Sequence, residues 1–510
     1  MSDRGARRDL PSTLPELTIA ELQTRMDEGA SSSVWVCERM LERIEAIDRT
    51  GPTLRSVIEL DPDALPHADA LDDERKERGP RSPLHGVPIL LKDSIDTADA
   101  MMTTAGSLAM EGNYAPDDAF LVTRLRDAGA LILGKTNMSE WGYMRSTRGC
   151  SGWSSRGGQV RNPYVLDRSP SGSSSGSAVA VAANLCTAAI GAEVDGSIVR
   201  PASINGIVGI KPTVGLVSSS GIIGVAEPQD TAGPMARCVA DAAALLSVIA
   251  GEDPRDPATR QAGARRAADY GDALDVRALE GARLGVAREC FTDHEGTNAV
   301  MEEALMRLVD LGAEVLDPVP TGGLPLFGEP EMTLLLFGLK ASLDRYLATH
   351  PGAGIRSLAE LIEYNRAHAD RVMPHFRQEL FELAQTKGSL DDAVYLRAQA
   401  ECRRRSRDEG IDKALREHRL DALVAPTDGH PAWRIDPVAG DTIRGGCSTP
   451  PAMAGYPHIT VPAGYAGGLP VALSFFGGAW QESRLIGYAF AFERATRARR
   501  APGFLPTLEV

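Results

Sequence analysis

Between positions 169 and 213 the chain runs Ser-Pro-Ser-Gly-Ser-Ser-Ser-Gly-Ser, then an alanine-rich segment, then Ile-Gly-Ala-Glu-Val-Asp-Gly-Ser-Ile-Val-Arg-Pro and Gly-Ile-Lys-Pro-Thr. Two serine-bearing glycine loops thus flank apolar segments at 178–184 and 187–191, which read as a buried helix followed by a strand. A flexible linker would be polar throughout. A helix and a strand packed back to back return their loops to one place, so Ser173 and Ser197 are expected to meet. Small residues there let backbone N–H groups approach a ligand closely.

The same alternation recurs along the chain. Residues 14–48 carry apolar positions at helical spacing, with Thr18 as an N-cap. Residues 54–60 read as a strand and 61–78 as a polar helix whose charges form a solvated face. Residues 117–128 read as an amphipathic helix before a strand at 130–133. Strands at 283–288 and 313–316 enclose a helix at 298–311, and 332–418 is almost wholly helical. Strands at 421–426, 459–462 and 471–476 and a helix at 483–495 close the chain. The expected class is α/β, a layered sheet with helices.

Lys92 ends the apolar run 87–91, and lysines are ordinarily exposed. Behind five apolar residues its ammonium form is disfavoured, which leaves a neutral amine that can act as a base. Trp141, Met101 and Met102 are candidates for an apolar substrate pocket, because they lie beside the loops that carry Lys92 and Lys135; ordinary core packing is the simpler role for the methionines.

Two short motifs are set aside on physical grounds. Residues 129–136, Gly-Ala-Leu-Ile-Leu-Gly-Lys-Thr, match a phosphate-loop pattern, but Ala-Leu-Ile-Leu is itself the strand and no exposed loop separates the glycines. Residues 172–176, Gly-Ser-Ser-Ser-Gly, match a nucleophile elbow centred on Ser174, yet the preceding segment is loop-like rather than a strand. His85 and His458 are expected to be packing residues.

A net charge of −15 with scattered basic residues argues against nucleic-acid binding. The seven cysteines lack CxxC spacing, so neither a zinc site nor a disulfide framework is expected, and reduced thiols point to the cytoplasm. Arg7 and Arg8 precede no apolar run within residues 1–18, so a secretory signal is not expected there, and no segment has the length and apolarity of a membrane span.

Taken with Lys92 in His-Gly-Val-Pro-Ile-Leu-Leu-Lys-Asp, Gly134-Lys-Thr-Asn-Met-Ser-Glu-Trp and Asp230-Thr-Ala-Gly-Pro-Met-Ala-Arg, the 169–213 stretch resembles the amidase signature family, and within it the branch of bacterial peptide amidases. The resemblance implies a large twisted mixed sheet covered by helices on both faces, with a helical flank or cap. It implies a Ser-Ser-Lys triad in which Ser197 is the nucleophile, Ser173 the bridging serine and Lys92 the base. Backbone N–H groups of Val194, Asp195, Gly196 and Ser197 are expected to form the oxyanion hole, and the resemblance implies a cis bond before Ser173. Ser174 is a candidate for substrate contact or for helix capping. Ala192, Val194 and Arg200 depart from the residues usual in that branch, and Arg200 is placed to pair with Glu193 or Asp195 or to face the pocket.

The resulting organisation is a helical N-terminal segment (1–80), a core with the triad (81–330), a helical cap or flank (331–420) and C-terminal strands and helix that complete the core (421–510). The expected activity is hydrolysis of a peptide C-terminal amide or aryl amide by a monomer or homodimer, without cofactor, nucleic acid or membrane. Carbamates and esters offer the same acyl carbon. A glutaminase-like subunit of an amidotransferase and a non-catalytic binding module are the competing readings; intact Lys92, Ser173 and Ser197 weigh against the latter.

Overall fold

The computed structural model describes residues 15–323 and 328–508; Arg7, Arg8 and Leu14, which opens the first helical spacing, lie outside them. Strands Val57–Leu60 (β1), Pro88–Lys92 (β2) and Leu131–Thr136 (β3) are followed by a small hairpin of Trp153–Ser154 (β4) and Gly158–Gln159 (β5). Then come Ala188–Glu193 (β6), Val208–Lys211 (β7), Thr231–Ala236 (β8), Arg283–Val286 (β9), Glu314–Leu316 (β10), Ala422–Pro426 (β11), His458–Ala466 (β12) and Leu469–Phe476 (β13). Among the described residues, eleven of these form one mixed sheet in the order β1-β3-β2-β6-β8-β7-β12-β13-β11-β9-β10. Flanking helices complete the α/β fold.

The strands that carry the site are parallel: β2 pairs with both β3 and β6, so Lys92 at the end of β2 and the turn after β6 emerge at the same edge. Ligands in open α/β sheets bind outside such carboxyl ends. The helix Ser175–Ala182 lies against β2, β6 and β8. Every residue of it is buried. That explains a composition of alanine, valine, glycine and serine with no polar stripe.

Most sequence expectations have a counterpart: the helix Ile19–Asp27 starts at Thr18 with a reciprocal capping box to Glu21, and the helix Ala64–Arg78 is polar. Two strands of the sheet, β7 and β8, are not visible in the sequence pattern. β8 reads Thr-Ala-Gly-Pro-Met-Ala, and proline and glycine ordinarily weaken a central strand. Here β7 pairs only with Met235 and Ala236 of β8, so the missing Pro234 N–H is not required on that side. Gly233 is fixed by proximity, since a Cβ there would stand 2.0 Å from the Ile210 carbonyl oxygen.

The helices from Glu331–Thr349 to Asp412–His418 follow the expected helical stretch. Leu335, Leu339, Leu343, Leu361 and Phe381 form an apolar cluster with Met138, Trp141 and Val194 from the sheet side. No helix among the described residues is long and apolar enough to cross a membrane.

Candidate active site

Burial decides the chemistry of Lys92. Its side chain is 3% exposed, and its amino group donates to Ser173 Oγ at 2.7 Å and to the Ala192 carbonyl at 2.7 Å. Loss of solvation pushes its pKa down to about 7, against the pull of the nearby Glu193 and Asp230 carboxylates. Near neutrality the amine is therefore available in its basic form.

Ser173 and Ser197 line one small pocket together with Lys92. The Ser174 N–H donates to the Ser197 carbonyl at 3.1 Å, which ties the two serine loops directly together. The Gly172–Ser173 peptide bond is cis. Ser197 follows a tight turn in which Gly196 has φ +75°, a backbone region that favours glycine. Glu193 braces the far side of that turn, its Oε2 accepting from the N–H groups of Ile198 (2.7 Å) and Val199 (3.1 Å). Val194 and Asp195 are held from outside: Gln229 Nε2 donates to the Val194 carbonyl (3.3 Å), and Thr449 Oγ1 donates to Asp195 Oδ2 (2.7 Å).

Part of the pocket wall is apolar, with Ser94, Ser219, Asp230 and Thr231 adding polar groups to it. Trp141 lines it with Met138, Ile223, Val225, Leu339 and Leu343. The Trp141 indole N–H is buried and finds no acceptor among the described residues. Met102 lies outside this pocket; its sulfur accepts the Gly112 N–H at 3.2 Å. Ser174 is fully buried and staples the end of β6, donating to the Ala192 carbonyl (3.1 Å) and accepting from the Ala192 N–H (3.2 Å).

Arg200 pairs with neither Glu193 nor Asp195. Its guanidinium lies 2.7 Å from Asp428 Oδ1, with both side chains buried. The 129–136 segment runs into β3, and its Lys135 is sealed against the Ile95 carbonyl (2.6 Å) and Thr103 Oγ1 (3.0 Å), so it offers no phosphate site. His85 and His458 are both buried; burial and the nearby Lys211 push His458 down to about 3.

Three groups of the pocket escape a sequence reading. Asp230 lines the wall and is raised to about 7 by burial, although the Val225 and Ala226 N–H groups and Lys92 oppose that shift. Its motif was visible in sequence, but its proximity to Lys92 was not. Leu339 and Leu343, one turn apart on the helix Glu331–Thr349, reach the pocket from a part of the chain far in sequence from the serine loops. Only helical spacing hints at them.

A mixed α/β sheet with a buried lysine, two serines and a glycine turn at the ends of parallel strands has the architecture of a hydrolytic enzyme. The family model for amidases matches residues 36–486, and the chain belongs to the amidase family, enzymes that hydrolyse amide C–N bonds. The native peptide amidase from Stenotrophomonas maltophilia is 52% identical and superposes with a TM-score of 0.92, covering 96% of this chain and 99% of that one. A probable amidase of Arabidopsis thaliana is 40% identical over 97% of this chain and 92% of its own length. A glutamyl-tRNA(Gln) amidotransferase subunit from Thioalkalivibrio sulfidiphilus is 35% identical over 94% of this chain and 97% of its own length.

Proposed function

We propose that the chain hydrolyses the C-terminal amide of peptides, or a similarly sized carboxylic amide, through an acyl-enzyme on Ser197. The carrying observation is Lys92, held 2.7 Å from Ser173 with its pKa lowered to about 7. An amide is a weak electrophile with a poor leaving group, so its hydrolysis needs an activated oxygen, a proton for the amine and donors for the oxyanion.

Ser197 Oγ attacks the carbonyl carbon while its proton passes to Ser173 and the Ser173 proton passes to neutral Lys92. The oxyanion is received by backbone N–H groups of the 194–197 turn; loss of one such donor typically costs about 2.7–4 kcal/mol. The relay then runs backwards: Lys92 returns its proton through Ser173 to the departing nitrogen, the C–N bond breaks, and Ser197 retains the acyl group. Water, deprotonated along the same route, releases the acid.

Similarity to a peptide amidase over nearly the whole chain favours peptide amides as substrates, and the apolar part of the pocket wall suits an uncharged side chain. The seven cysteines are free, which suits a reducing compartment; we place the enzyme in the cytoplasm as a monomer or homodimer. The helices from Glu331 onward serve as a cap that supplies one wall of the pocket.

The test is mass spectrometry of a C-terminally amidated dipeptide and an acyl anilide incubated with wild type and with Ser197→Ala. Deamidated dipeptide from wild type alone is the expected result. Cleavage of neither substrate would remove the peptide-amidase reading, and full activity of Ser197→Ala would remove the nucleophile. The likeness to an amidotransferase component sets the second reading; ammonia transfer that depends on ATP and a co-purifying protein would support it.

A further inference from the structure

Around the nucleophile turn, one buried contact spans two distant parts of the chain. We infer that Arg200 is a positioning residue, which holds the oxyanion turn 194–197 in register through its ion pair with Asp428; this rests on the roles proposed above for that turn and for Ser197.

Arg200 stands one helical turn beyond Gly196, and its N–H donates to the Gly196 carbonyl at 2.9 Å. Its aliphatic stem lies over the turn so closely that a Cβ on Gly196 would be 2.4 Å from Arg200 Cδ. The turn therefore has a lid of methylene groups on one side. Beyond the stem the guanidinium reaches Asp428 Oδ1 at 2.7 Å, with Nη1 3.5 Å from the Gly445 carbonyl.

Asp428 is a rigid anchor. It follows Thr427, whose hydroxyl is fixed between Thr460 Oγ1 (2.6 Å) and Ser474 Oγ (2.8 Å) of β12 and β13. Ser203, on the helix Val199–Ile204 that carries Arg200, is buried beside it. A parallel tether runs from Asp195 Oδ2 to Thr449 Oγ1. Both ends of the turn are thus moored to the C-terminal part of the chain, to Asp428 just beyond β11 and to Thr449 at the start of the helix Thr449–Ala454, and a catalytic turn needs that support because small misplacements of oxyanion donors lower the rate steeply.

The ion pair also carries a liability. Removing one partner leaves a lone buried charge, which destabilises the fold irrespective of catalysis. Arg200→Gln/Asp428→Asn removes both charges, and Arg200→Lys retains the charge while losing the planar fork. Each is compared with wild type for kcat and KM on the amidated dipeptide. Affinity for a peptide aldehyde is compared with that for the matching alcohol, because only the aldehyde adds to Ser197 and places an oxyanion in the turn.

The double variant is expected to lose about 10²-fold in kcat with KM within about threefold, and the aldehyde-to-alcohol affinity ratio should fall in parallel. For Arg200→Lys the loss is about threefold to tenfold in kcat and in the same ratio. A folded double variant with kcat within about twofold of wild type overturns the inference, as does a loss of kcat with an unchanged affinity ratio. Should the double variant not fold, Arg200→Lys decides by the same two readouts: an unchanged kcat and ratio overturn it, a parallel fall supports it. Inactive wild type, or active Ser197→Ala, would instead strike the underlying amidase reading.

Discussion

Lys92 Nζ lies 2.7 Å from Ser173 Oγ inside a pocket that burial has made hostile to its own positive charge. Its pKa falls from 10.5 to about 7, so protonation below that value removes the base. The value of kcat/KM should accordingly rise through pH 7 and level off on the alkaline side. Lys92→Arg, which stays protonated at all accessible pH, is expected to lower kcat by about 10³-fold without restoring activity at high pH. A flat profile between pH 5 and 9, followed by hydrolysis rates at saturating and limiting substrate, would assign the proton relay elsewhere.

Asp230 shares the pocket and acts on the same titration. Its carboxylate attracts the Lys92 proton and so raises the Lys92 pKa, opposing burial. Asp230→Asn deletes that attraction, and the acid limb of the kcat/KM profile should move to lower pH. Movement to higher pH, or none, would show that Asp230 does not sense Lys92. Since Asp230 Oδ2 also accepts the Val225 N–H at 2.9 Å, asparagine is the appropriate isostere.

How far such a site can be read from sequence is seen in these two residues. Lys92 was legible because five apolar residues precede it, and burial of a lysine has a definite chemical consequence. Ser173 and Ser197 were legible because a helix and a strand between two glycine loops can bring those loops together, and because the resemblance to the amidase signature singles out these two serines. The proximity of Asp230 to Lys92 follows from β8 lying beside β6, and β8 was hidden by Gly233 and Pro234, which single-strand patterning counts as breakers. The Arg200 partner was missed for a similar reason: Asp428 lies beyond β11, and no local pattern tells which strand end faces a given helix. Local periodicity carried the elements, but the long-range order of strands decided the electrostatics.

Gly196 has φ +75°, and an alanine Cβ there would meet Arg200 Cδ at 2.4 Å. The left-handed backbone alone costs a side-chain-bearing residue about 1–2 kcal/mol. Gly196→Ala is expected to keep the global fold by circular dichroism and to lower kcat by about tenfold to a hundredfold, as the turn rotates its N–H groups away from the carbonyl oxygen. Wild-type kcat in a folded Gly196→Ala would mean that the 194–197 turn does not bind the oxyanion.

Leu343 is buried and forms part of the pocket wall from the helix Glu331–Thr349. Leu343→Ala enlarges this pocket, the acyl site of the proposed function, and costs about 2–5 kcal/mol of stability as for a truncated core leucine. The ratio of kcat/KM for a bulky over a small acyl amide should rise by about tenfold, the scale of one or two methylenes in an apolar pocket. Paired kinetics on acetyl and longer acyl amides measure this ratio, and an unchanged ratio would place the acyl group outside this wall.

Ser174 and Ser197 should separate stability from catalysis. Ser174 Oγ, itself fully buried, bonds both polar groups of the Ala192 backbone, at 3.1 and 3.2 Å. Ser174→Ala leaves the half-buried Ala192 N–H without that acceptor, a loss of about 1 kcal/mol, read as a lower denaturant midpoint. Its effect on kcat should stay within about tenfold, because the hydroxyl braces the strand end that also receives Lys92 but does not face the pocket. Ser197→Ala should show the opposite pattern, an unchanged midpoint and kcat lowered by about 10³-fold or more. If Ser174→Ala were the inactive, fully stable variant, the nucleophile would belong to the Gly172–Gly176 loop, and the strand-end staple would have to be explained by some other contact.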